Sequence, residues 1–414
     1  MQSTTRVCGR VALSWALAAM VPMGAAWAQA APTPLTLAEA LDRARTTSPV
    51  VEIADAQVEA ARGRQTQAGA GINPEASYTV ENFSGSGVLR GMDSAESTIG
   101  LSQQLELGGK REARSETAGK QADAVAVRGR IARADLDLTV RERFAELSAA
   151  EERLDLARAA LERARKLSDL AQTLVDAGRE PPLRVLRAQA LAAQAEAQFS
   201  IASAELAAAQ RGLAVLWGGA ESAIDAVGPW EFQQPDERLN TSPTDTLDYR
   251  LAVAEHDAAE AALRLEKANA WVDVTVSGGL RRFESTGEQA WIAGISIPIP
   301  IQNMNGGAIA AARADDRAAE LQLNIALAEM VRRINDARSA FEAADARAAA
   351  LENQAVRQAE EALSLAQIGY EAGRFQLIDV LDAEDAFASI RNASIDARLA
   401  RARAAAALIR ANAN

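Results

Sequence analysis

Apolar and polar residues alternate one by one in two pairs of short stretches. The first pair lies within residues 75–105 and the second within residues 271–300. Strict alternation puts apolar side chains on one face and polar side chains on the other, which predicts two β-hairpins. Strands of about nine to eleven residues have the length that crosses a bilayer at a tilt of about 45°. A soluble sheet with one wet face gives the same alternation, so the pattern alone leaves both interpretations open. The apolar positions are Ala76, Tyr78, Val80, Ile99, Leu101, Val272, Val274, Val276, Trp291, Ala293, Ile295, Ile297 and Ile299.

Long segments of helix-forming residues surround both hairpins. A single helix is predicted over residues 109–176 and another over residues 307–372, each about 100 Å long at 1.5 Å per residue. Leu147, Leu154 and Leu161 are spaced by heptads among Glu and Arg residues, which predicts a coiled-coil seam. Shorter helices are predicted over 35–68, where Pro49 is expected to divide two helices, and over 183–217, 246–270 and 379–412.

The second half of the chain repeats the layout of the first. The segment 108–110, Gly-Gly-Lys, returns as Asn-Gly-Gly at 305–307, and the Ala-Gly-Arg of 177–179 returns at 372–374. We therefore expect two structural repeats, residues 29–217 and 246–414. Residues 218–245 are expected to form a linker that packs around the middle of the molecule. Two aromatic residues, Trp230 and Phe232, lie within this linker, and Trp217 directly precedes it.

Composition restricts the compartment and the class of function. Residues 1–28 have the pattern of a secretory signal, with Arg6 and Arg10, an apolar run, and a small-residue cleavage site. Its removal takes two of the 44 basic residues and none of the 56 acidic ones, so the mature net charge is expected to be −14. This charge argues against a nucleic-acid partner. Cys8, the only cysteine, lies in the signal, so no disulfide, thiolate ligand or lipid anchor is expected.

After residue 28 no stretch approaches the roughly 20 apolar residues that a spanning helix needs, so a membrane crossing would have to use strands. Unpaired strand edges cannot face lipid, because each free backbone group there costs several kcal/mol. Four strands cannot close on themselves, and eight strands from two copies would leave an interior filled by side chains. Three copies, with twelve strands, therefore fit a pore best.

The segment 104–111, Gln-Leu-Glu-Leu-Gly-Gly-Lys-Arg, resembles the TolC-like outer-membrane efflux family, and in particular its cobalt-zinc-cadmium resistance branch. The resemblance covers essentially the whole mature chain. It implies a mainly α fold with membrane β-structure: internally duplicated coiled-coil hairpins and four strands per protomer, assembled as a trimeric twelve-strand β-barrel and an α-helical periplasmic tunnel.

The same resemblance implies a function and a set of partners. The protein would be a passive exit duct in the outer membrane, without enzyme activity or cofactor. It would work as a homotrimer in contact with outer-membrane lipid. Its substrates, heavy-metal cations, would be delivered by a periplasmic membrane-fusion adaptor and an inner-membrane pump of the resistance-nodulation-division (RND) type.

The family closes its tunnel at the periplasmic end with residues of the second helical hairpin. Tyr370, Asp379 and Asp382 fall on positions that resemble the constriction tyrosine and the two aspartate rings of that family. The family's constriction arginine falls on Phe375, with Arg374 one residue earlier, so this chain departs from the family pattern there.

From the residues themselves, Asp379 and Asp382 share a helix face, and three-fold symmetry would turn each into a ring of carboxylates that favours cations. Two other interpretations stay open. Acidic residues at the start of a helix also complement its dipole, without any gate. A carboxylate pair could in principle serve acid/base catalysis, although no pocket signal accompanies it.

The first hairpin carries Arg184 and Arg187 where the second carries Asp379 and Asp382, counted from the turn glycines. We hypothesise that one of these arginines pairs with one of the aspartates and helps hold the closed state. The alternative is a pair of solvated arginines. The turn residues Gly178, Arg179, Gly373 and Arg374 resemble the places where the family meets its adaptor, although left-handed turn geometry alone explains a glycine.

The chain offers few metal ligands and no nucleotide or nucleophile motif. His256 is the sole histidine, and after residue 28 only Met92, Met304 and Met330 remain as methionines, so no metal site is expected. Energy and substrate selection would come from partners. The competing functions are a duct for drug efflux, a duct for type I protein secretion, and a periplasmic coiled-coil adaptor without a pore. The two hairpins and the scarcity of other β-sequence disfavour the adaptor.

Overall fold

A computed structural model describes residues 33–219, 224–226 and 242–414. The predicted signal segment, Trp230 and Phe232 lie outside these ranges. Eight helices account for most of the described chain: α1 (Leu37–Thr47), α2 (Pro49–Ala68), α3 (Lys110–Asp176), α4 (Leu183–Ala214), α5 (Leu247–Asn269), α6 (Gly306–Ala350), α7 (Val356–Glu371) and α8 (Leu377–Ala411).

Helix α3 runs unbroken for 67 residues, about 100 Å, and begins and ends at glycines in the left-handed conformation. Gly109, at φ 73°, precedes it, and Gly178, at φ 68°, follows it. Within the heptad seam, Leu147 and Leu161 are buried. The shorter helix before the first hairpin is divided in two as expected. The Ser48 hydroxyl caps α2 by accepting a bond from the Val50 backbone N–H, and Pro49 occupies the first helical position.

The second long helix differs from the unbroken helix expected over 307–372. A π-helical segment, Leu351–Ala355, separates α6 from α7. The wider winding of a π segment changes which residues share a face. Ala348 before it and Val356 after it, eight residues apart, are both buried. Buried positions therefore occur on both sides of the π segment.

The described residues form six strands: β1 (Thr33–Leu35), β2 (Glu75–Glu81), β3 (Glu96–Leu105), β4 (Ile224–Ala226), β5 (Val274–Phe283) and β6 (Gln289–Ser296). The two predicted hairpins join into one antiparallel sheet in the order β2-β3-β5-β6. The register pairs Tyr78 with Ile99, and Ile99 with Leu280. Apolar side chains from both repeats therefore share one face.

The last strand is shorter than its alternation suggested. Strand β6 ends at Ser296, although apolar residues continue to alternate as far as Ile301. Pro298 and Pro300 have no backbone N–H, so they remove two donors from any ladder beyond Ser296 and favour an end of the strand there.

The first and second repeats are bound together where the sheet meets the helices. The Asp273 carboxylate accepts hydrogen bonds from Lys110 Nζ at 2.7 Å, Gln104 Nε2 at 2.9 Å and the Leu107 backbone N–H at 3.2 Å. Close by, Arg114 pairs with Glu106. The Gly-Gly-Lys-Arg stretch singled out in the sequence therefore lies at the junction of strand and helix.

The largest hydrophobic cluster lies midway along α3. Phe144, Leu147, Leu213, Trp217 and Ile395 are all buried in it, so it joins α3, α4 and α8. Strand β4 pairs in parallel with β1 and buries Ile224 in the same cluster. Strand β4, which belongs to the predicted linker, therefore packs against the middle of α3. None of the helices in the described ranges has the length and apolar character needed to cross a bilayer.

Candidate gate at the helical tips

Both long-helix hairpins end in the same turn. The Gly178 N–H donates to the Val175 carbonyl, and the Arg179 N–H to the Leu174 carbonyl. The second tip repeats these bonds from Gly373 to Tyr370 and from Arg374 to Gly369. This is the Schellman arrangement, in which glycine at positive φ closes a helix. The two turn glycines, Gly178 and Gly373, are thus explained locally. Contact of the turn residues Gly178, Arg179, Gly373 and Arg374 with a partner stays a prediction.

Tyr370 lies in the second tip with its ring buried among Ala366, Leu377 and Val380, and leucines of α3 pack against the same cluster. Burial raises the pKa of the Tyr370 hydroxyl, the Glu180 carboxylate of the first tip raises it further, and the Arg184 guanidinium lowers it. The hydroxyl is buried and has no hydrogen-bond partner in the described ranges. Tyr370 therefore links the two tips of one chain through packing.

Phe375, at the family's arginine position, covers Gly369. A Cβ at Gly369 would lie 2.2 Å from Phe375 Cδ2, so only glycine leaves room for the ring in this position. Phe375 stays half exposed, and Arg374 is exposed beside it. An aromatic ring and not a cation therefore occupies the position after Arg374. The ring fits there because residue 369, six positions earlier, is a glycine.

Asp379 and Asp382 both lie exposed at the start of α8. Asp379 Oδ2 accepts a bond of 2.7 Å from the Gln376 backbone N–H, so this carboxylate helps to cap α8. The capping role is the alternative that the sequence left open for Asp379. It does not exclude a gate, because the same carboxylate stays accessible.

Arg184 pairs with Glu180 in its own tip, with Nε–Oε2 at 2.8 Å and Nη1–Oε1 at 2.9 Å. Arg187 is exposed. Within one chain, therefore, the hypothesised contacts from Arg184 to Asp379 or Asp382 do not form. Pairing between neighbouring chains stays a prediction.

A cleft of about 370 Å³ lies next to Tyr370, between α3, α7 and α8. Its wall contains an ion pair from Arg163 Nε to Glu384 Oε1 at 2.9 Å, and Gln367 Nε2 donates to the same oxygen at 3.0 Å. These bonds connect the three helices behind the gate residues. Sequence reasoning did not find this set, because its members are distant in the chain.

Glu151 is a second residue that the sequence did not single out. It lies half-buried on α3, and its Oε1 accepts a bond of 2.7 Å from the Ala226 backbone N–H. Burial raises the pKa of the Glu151 carboxyl to about 7, the bond from Ala226 lowers it, and the Asp225 and Asp155 carboxylates raise it. Glu151 thus holds strand β4 against the middle of α3.

No group of three or more His, Cys, Asp or Glu side chains that could hold a metal ion occurs within residues 33–219, 224–226 and 242–414. His256 Nε2 lies 3.9 Å from Asp316 Oδ1, on the helical part of the molecule.

The protein combines a sheet that has one exposed apolar face with two long helical hairpins. This architecture is that of a helical-hairpin protein anchored in a membrane by its strands. The chain matches the family described as "Outer membrane efflux protein" over residues 40–219 and 246–414. It therefore belongs to that family and resides in the outer membrane, with its helical part on the periplasmic side. The predicted family resemblance is confirmed, and so is the fold class of the single chain, which is mainly α with duplicated helical hairpins and four strands in one sheet. The trimeric assembly stays a prediction.

Curated relatives and solved structures agree with this membership. The cobalt-zinc-cadmium resistance protein CzcC of Cupriavidus metallidurans is 30% identical over 369 residues, which covers 85% of this chain and 83% of that protein. The nickel-cobalt-cadmium resistance protein NccC of Alcaligenes xylosoxydans xylosoxydans is 31% identical over 298 residues, 72% of this chain and 67% of that protein. The outer membrane protein VceC of Vibrio cholerae superposes with a TM-score of 0.74 at 24% identity, covering 91% of this chain and 95% of that chain, and shares the fold.

Proposed function

We propose that the protein is the passive outer-membrane exit duct of a tripartite efflux system, that it works as a homotrimer, and that its substrates are heavy-metal cations. A periplasmic membrane-fusion adaptor and an inner-membrane RND-type pump would deliver the substrate, and the chain itself would catalyse no reaction. The observation that carries the proposal is the open four-stranded sheet.

The sheet has two free edges and an exposed apolar face. Strands β2 and β6 each pair on one side only. On the apolar face, the exposed fraction is 67% for Tyr78, 72% for Ile295 and 85% for Trp291. Water disfavours such a face and lipid accepts it, but lipid cannot satisfy the backbone groups of the two edges. Three copies joined edge to edge remove both problems by closing twelve strands.

The metal assignment rests on the relatives and on charge. CzcC and NccC carry cobalt, zinc, cadmium and nickel resistance in their names. Three-fold symmetry would gather the exposed Asp379 and Asp382 carboxylates into rings at the periplasmic tip, which attract cations and repel anions. We propose Tyr370, Arg374, Phe375, Asp379 and Asp382 as the gate region, with Arg184 and Arg187 as partners from a neighbouring chain.

The adaptor is proposed to contact the tips at Gly178, Arg179, Gly373 and Arg374. Both tips expose an arginine one residue after a glycine at positive φ. The second tip also exposes Ile368, Phe375 and Ile378. Two equivalent tips per chain would give six sites around a trimer.

The test is metal tolerance of a deletion strain, complemented with wild-type protein and with two matched variants. Leu101 and Ser102 are adjacent near the middle of β3 but lie on opposite faces of the sheet. Leu101→Lys puts a cation on the lipid-facing side, at a cost of about 2–4 kcal/mol near the bilayer midplane, whereas Ser102→Lys faces the lumen. Wild type and Ser102→Lys should restore tolerance to zinc, cobalt and cadmium, and Leu101→Lys should not.

Equal behaviour of the two lysine variants would contradict the membrane role of this sheet. Unchanged metal tolerance in the deletion strain, together with lost tolerance to organic drugs or retention of a secreted protein, would refute the metal assignment and keep the duct. A monomer that stays in water without detergent would refute the trimeric channel.

A further inference from the structure

We propose that the Arg281–Glu81–Glu96 cluster forms a second charge filter at the outer mouth of the duct, far from the periplasmic gate, and that Arg281 sets its strength. The inference rests on the proposed channel. The three side chains lie on the polar face of the sheet, at the loop end opposite the helices. We call these three residues the outer-mouth cluster.

Arg281 binds carboxylates from two other strands. Its Nη2 lies 3.0 Å from Glu81 Oε2 and its Nη1 lies 3.0 Å from Glu96 Oε2. Its Nε donates to Thr98 Oγ1 at 3.1 Å. Because β5 does not pair with β2, the guanidinium reaches across β3 to contact Glu81. One arginine thus holds two carboxylates, and the cluster carries a net charge of −1.

Register places the cluster on the face that would line the lumen. Thr98 pairs directly with both Thr79 and Arg281, and Glu96 pairs with Glu81, so all these side chains lie on one face. Ile99, Tyr78 and Leu280 form adjacent pairs on the opposite, apolar face. The cluster therefore faces away from lipid in a closed barrel.

Between its two ends the polar face is built mostly from small residues. Its middle rows contain Ser77, Gly100, Gly279 and Ile292, then Glu75, Ser102, Ser277 and Gly294. Space is tight there, since a Cβ at Gly279 would lie 2.5 Å from the Ile99 carbonyl oxygen. Long charged side chains occur on this face of β5 only at its outer end. On the polar face of the four strands, passing ions would therefore meet acidic side chains at both ends of the wall, at Glu75 on the helix side and at the outer-mouth cluster on the loop side. Arg281 is present only in the outer-mouth cluster, so it adjusts the charge of the outer end alone.

Three copies would place three clusters around the mouth. Without the Arg281 charge, each cluster keeps two carboxylates and a net charge of −2. Without one carboxylate charge, the arginine and the other carboxylate cancel and the net charge is zero. Arg281→Gln should therefore increase preference for cations over anions, and Glu96→Gln should decrease it. The double variant Glu81→Gln/Glu96→Gln leaves an unpaired arginine and should favour anions.

The experiment is the reversal potential of purified protein in planar bilayers under a potassium chloride gradient. All variants are made in an Asp379→Asn/Asp382→Asn background, so that the periplasmic carboxylates do not mask the outer mouth. We expect Arg281→Gln to raise the potassium-to-chloride permeability ratio by about twofold or more at low salt. The difference should vanish near 1 M salt, where the Debye length is only about 3 Å.

Arg282→Gln is the matched control. Arg282 is the next residue of β5, lies on the opposite face and pairs with Glu284. It removes the same charge without changing the lumen, so its reversal potential should equal that of the background. Arg281→Lys should also resemble the background because it keeps the charge.

The outcomes separate this inference from the proposed function. Absence of any conductance from the background protein would refute the channel and the filter together. Normal conductance with equal reversal potentials for Arg281→Gln, Glu96→Gln and Arg282→Gln would overturn the filter alone. Opposite shifts for Arg281→Gln and Glu96→Gln support it, since a folding defect cannot change sign with charge.

Discussion

Replacing Glu151 by Gln should make the stability of the folded protein less sensitive to pH. The side chain is half-buried against β4, and burial raises its pKa from the ordinary value of 4.5 to about 7. Between these two pH values the folded protein holds a proton that the unfolded chain has lost. The free energy of unfolding therefore falls as pH rises through this interval, and above about pH 7 this contribution stays constant.

The magnitude follows from the same shift. At about 1.4 kcal/mol for each pH unit, the full interval would cost the wild type about 3 kcal/mol. Solvent screens a side chain that is only partly buried, so about 1–2 kcal/mol is the expected loss. Glutamine keeps an oxygen that can accept the bond from the Ala226 N–H, now 2.7 Å long, and it cannot ionise. The two proteins should be about equally stable at pH 5, and the variant should be the more stable at pH 8.

Thermal unfolding of detergent-purified protein, followed by circular dichroism at several pH values, measures this difference. Glu162→Gln is the control, because Glu162 is an exposed carboxylate on the same helix. We expect the midpoint of Glu151→Gln to exceed that of wild type at pH 8 by about 1–2 °C, because the unfolding entropy of so long a chain is large. Parallel midpoint curves for wild type and Glu151→Gln across pH 5 to 8 would refute the account of Glu151.

Two further predictions concern the gate and the strand-helix junction. Asp379→Asn keeps an oxygen that can cap α8 but removes the charge, so we expect altered single-channel conductance in bilayers with an unchanged melting curve. Unchanged conductance would remove support for pairing of Asp379 with Arg184 or Arg187 of a neighbouring chain. Asp273→Asn should lower the free energy of unfolding by about 2 kcal/mol because it leaves Lys110, only 14% exposed, beside a neutral amide. Chemical denaturation measures the second effect, which should largely disappear when Lys110→Met is added.

Local pattern predicted the elements well, because each depends on neighbours in the chain. The end of α3 follows from Gly178, and the division at Pro49 follows from the backbone that proline allows. The early end of β6 also had a local signal in Pro298 and Pro300, which alternation alone concealed. The π segment between α6 and α7 has no such signal, since no glycine or proline lies within it.

Contacts between distant residues were harder to predict. The partner of Arg184 is Glu180, four residues earlier, and the spacing rule for helices could have suggested it. Glu151 could not be found this way, because its partner Ala226 lies 75 residues further along the chain. The pairing of β3 with β5 joins the two repeats and likewise depends on tertiary packing.

The side of the chain formed by the first repeat differs from the side formed by the second. This difference explains how one rotation between neighbouring chains could close both the strands into a barrel and the helices into a tunnel. On the first-repeat side, β2 is the edge of the sheet and α2 exposes Val50 and Ile53. On the second-repeat side, β6 is the other edge and α6 exposes Leu321 and Ile325, one helical turn apart. Helix α2 leads directly into β2 and α6 follows directly from β6.

A neighbour that pairs its β2 with this chain's β6 would therefore bring its α2 towards this chain's α6. Contacts between unlike edges form a ring when the rotation closes. Pairing of β2 with β6 and burial of the exposed apolar side chains of α2 and α6 then favour the same arrangement. The isolated chain, with its largest core confined to the middle of α3, would leave both edges uncovered, so the folded chain and the proposed trimer should stabilise each other.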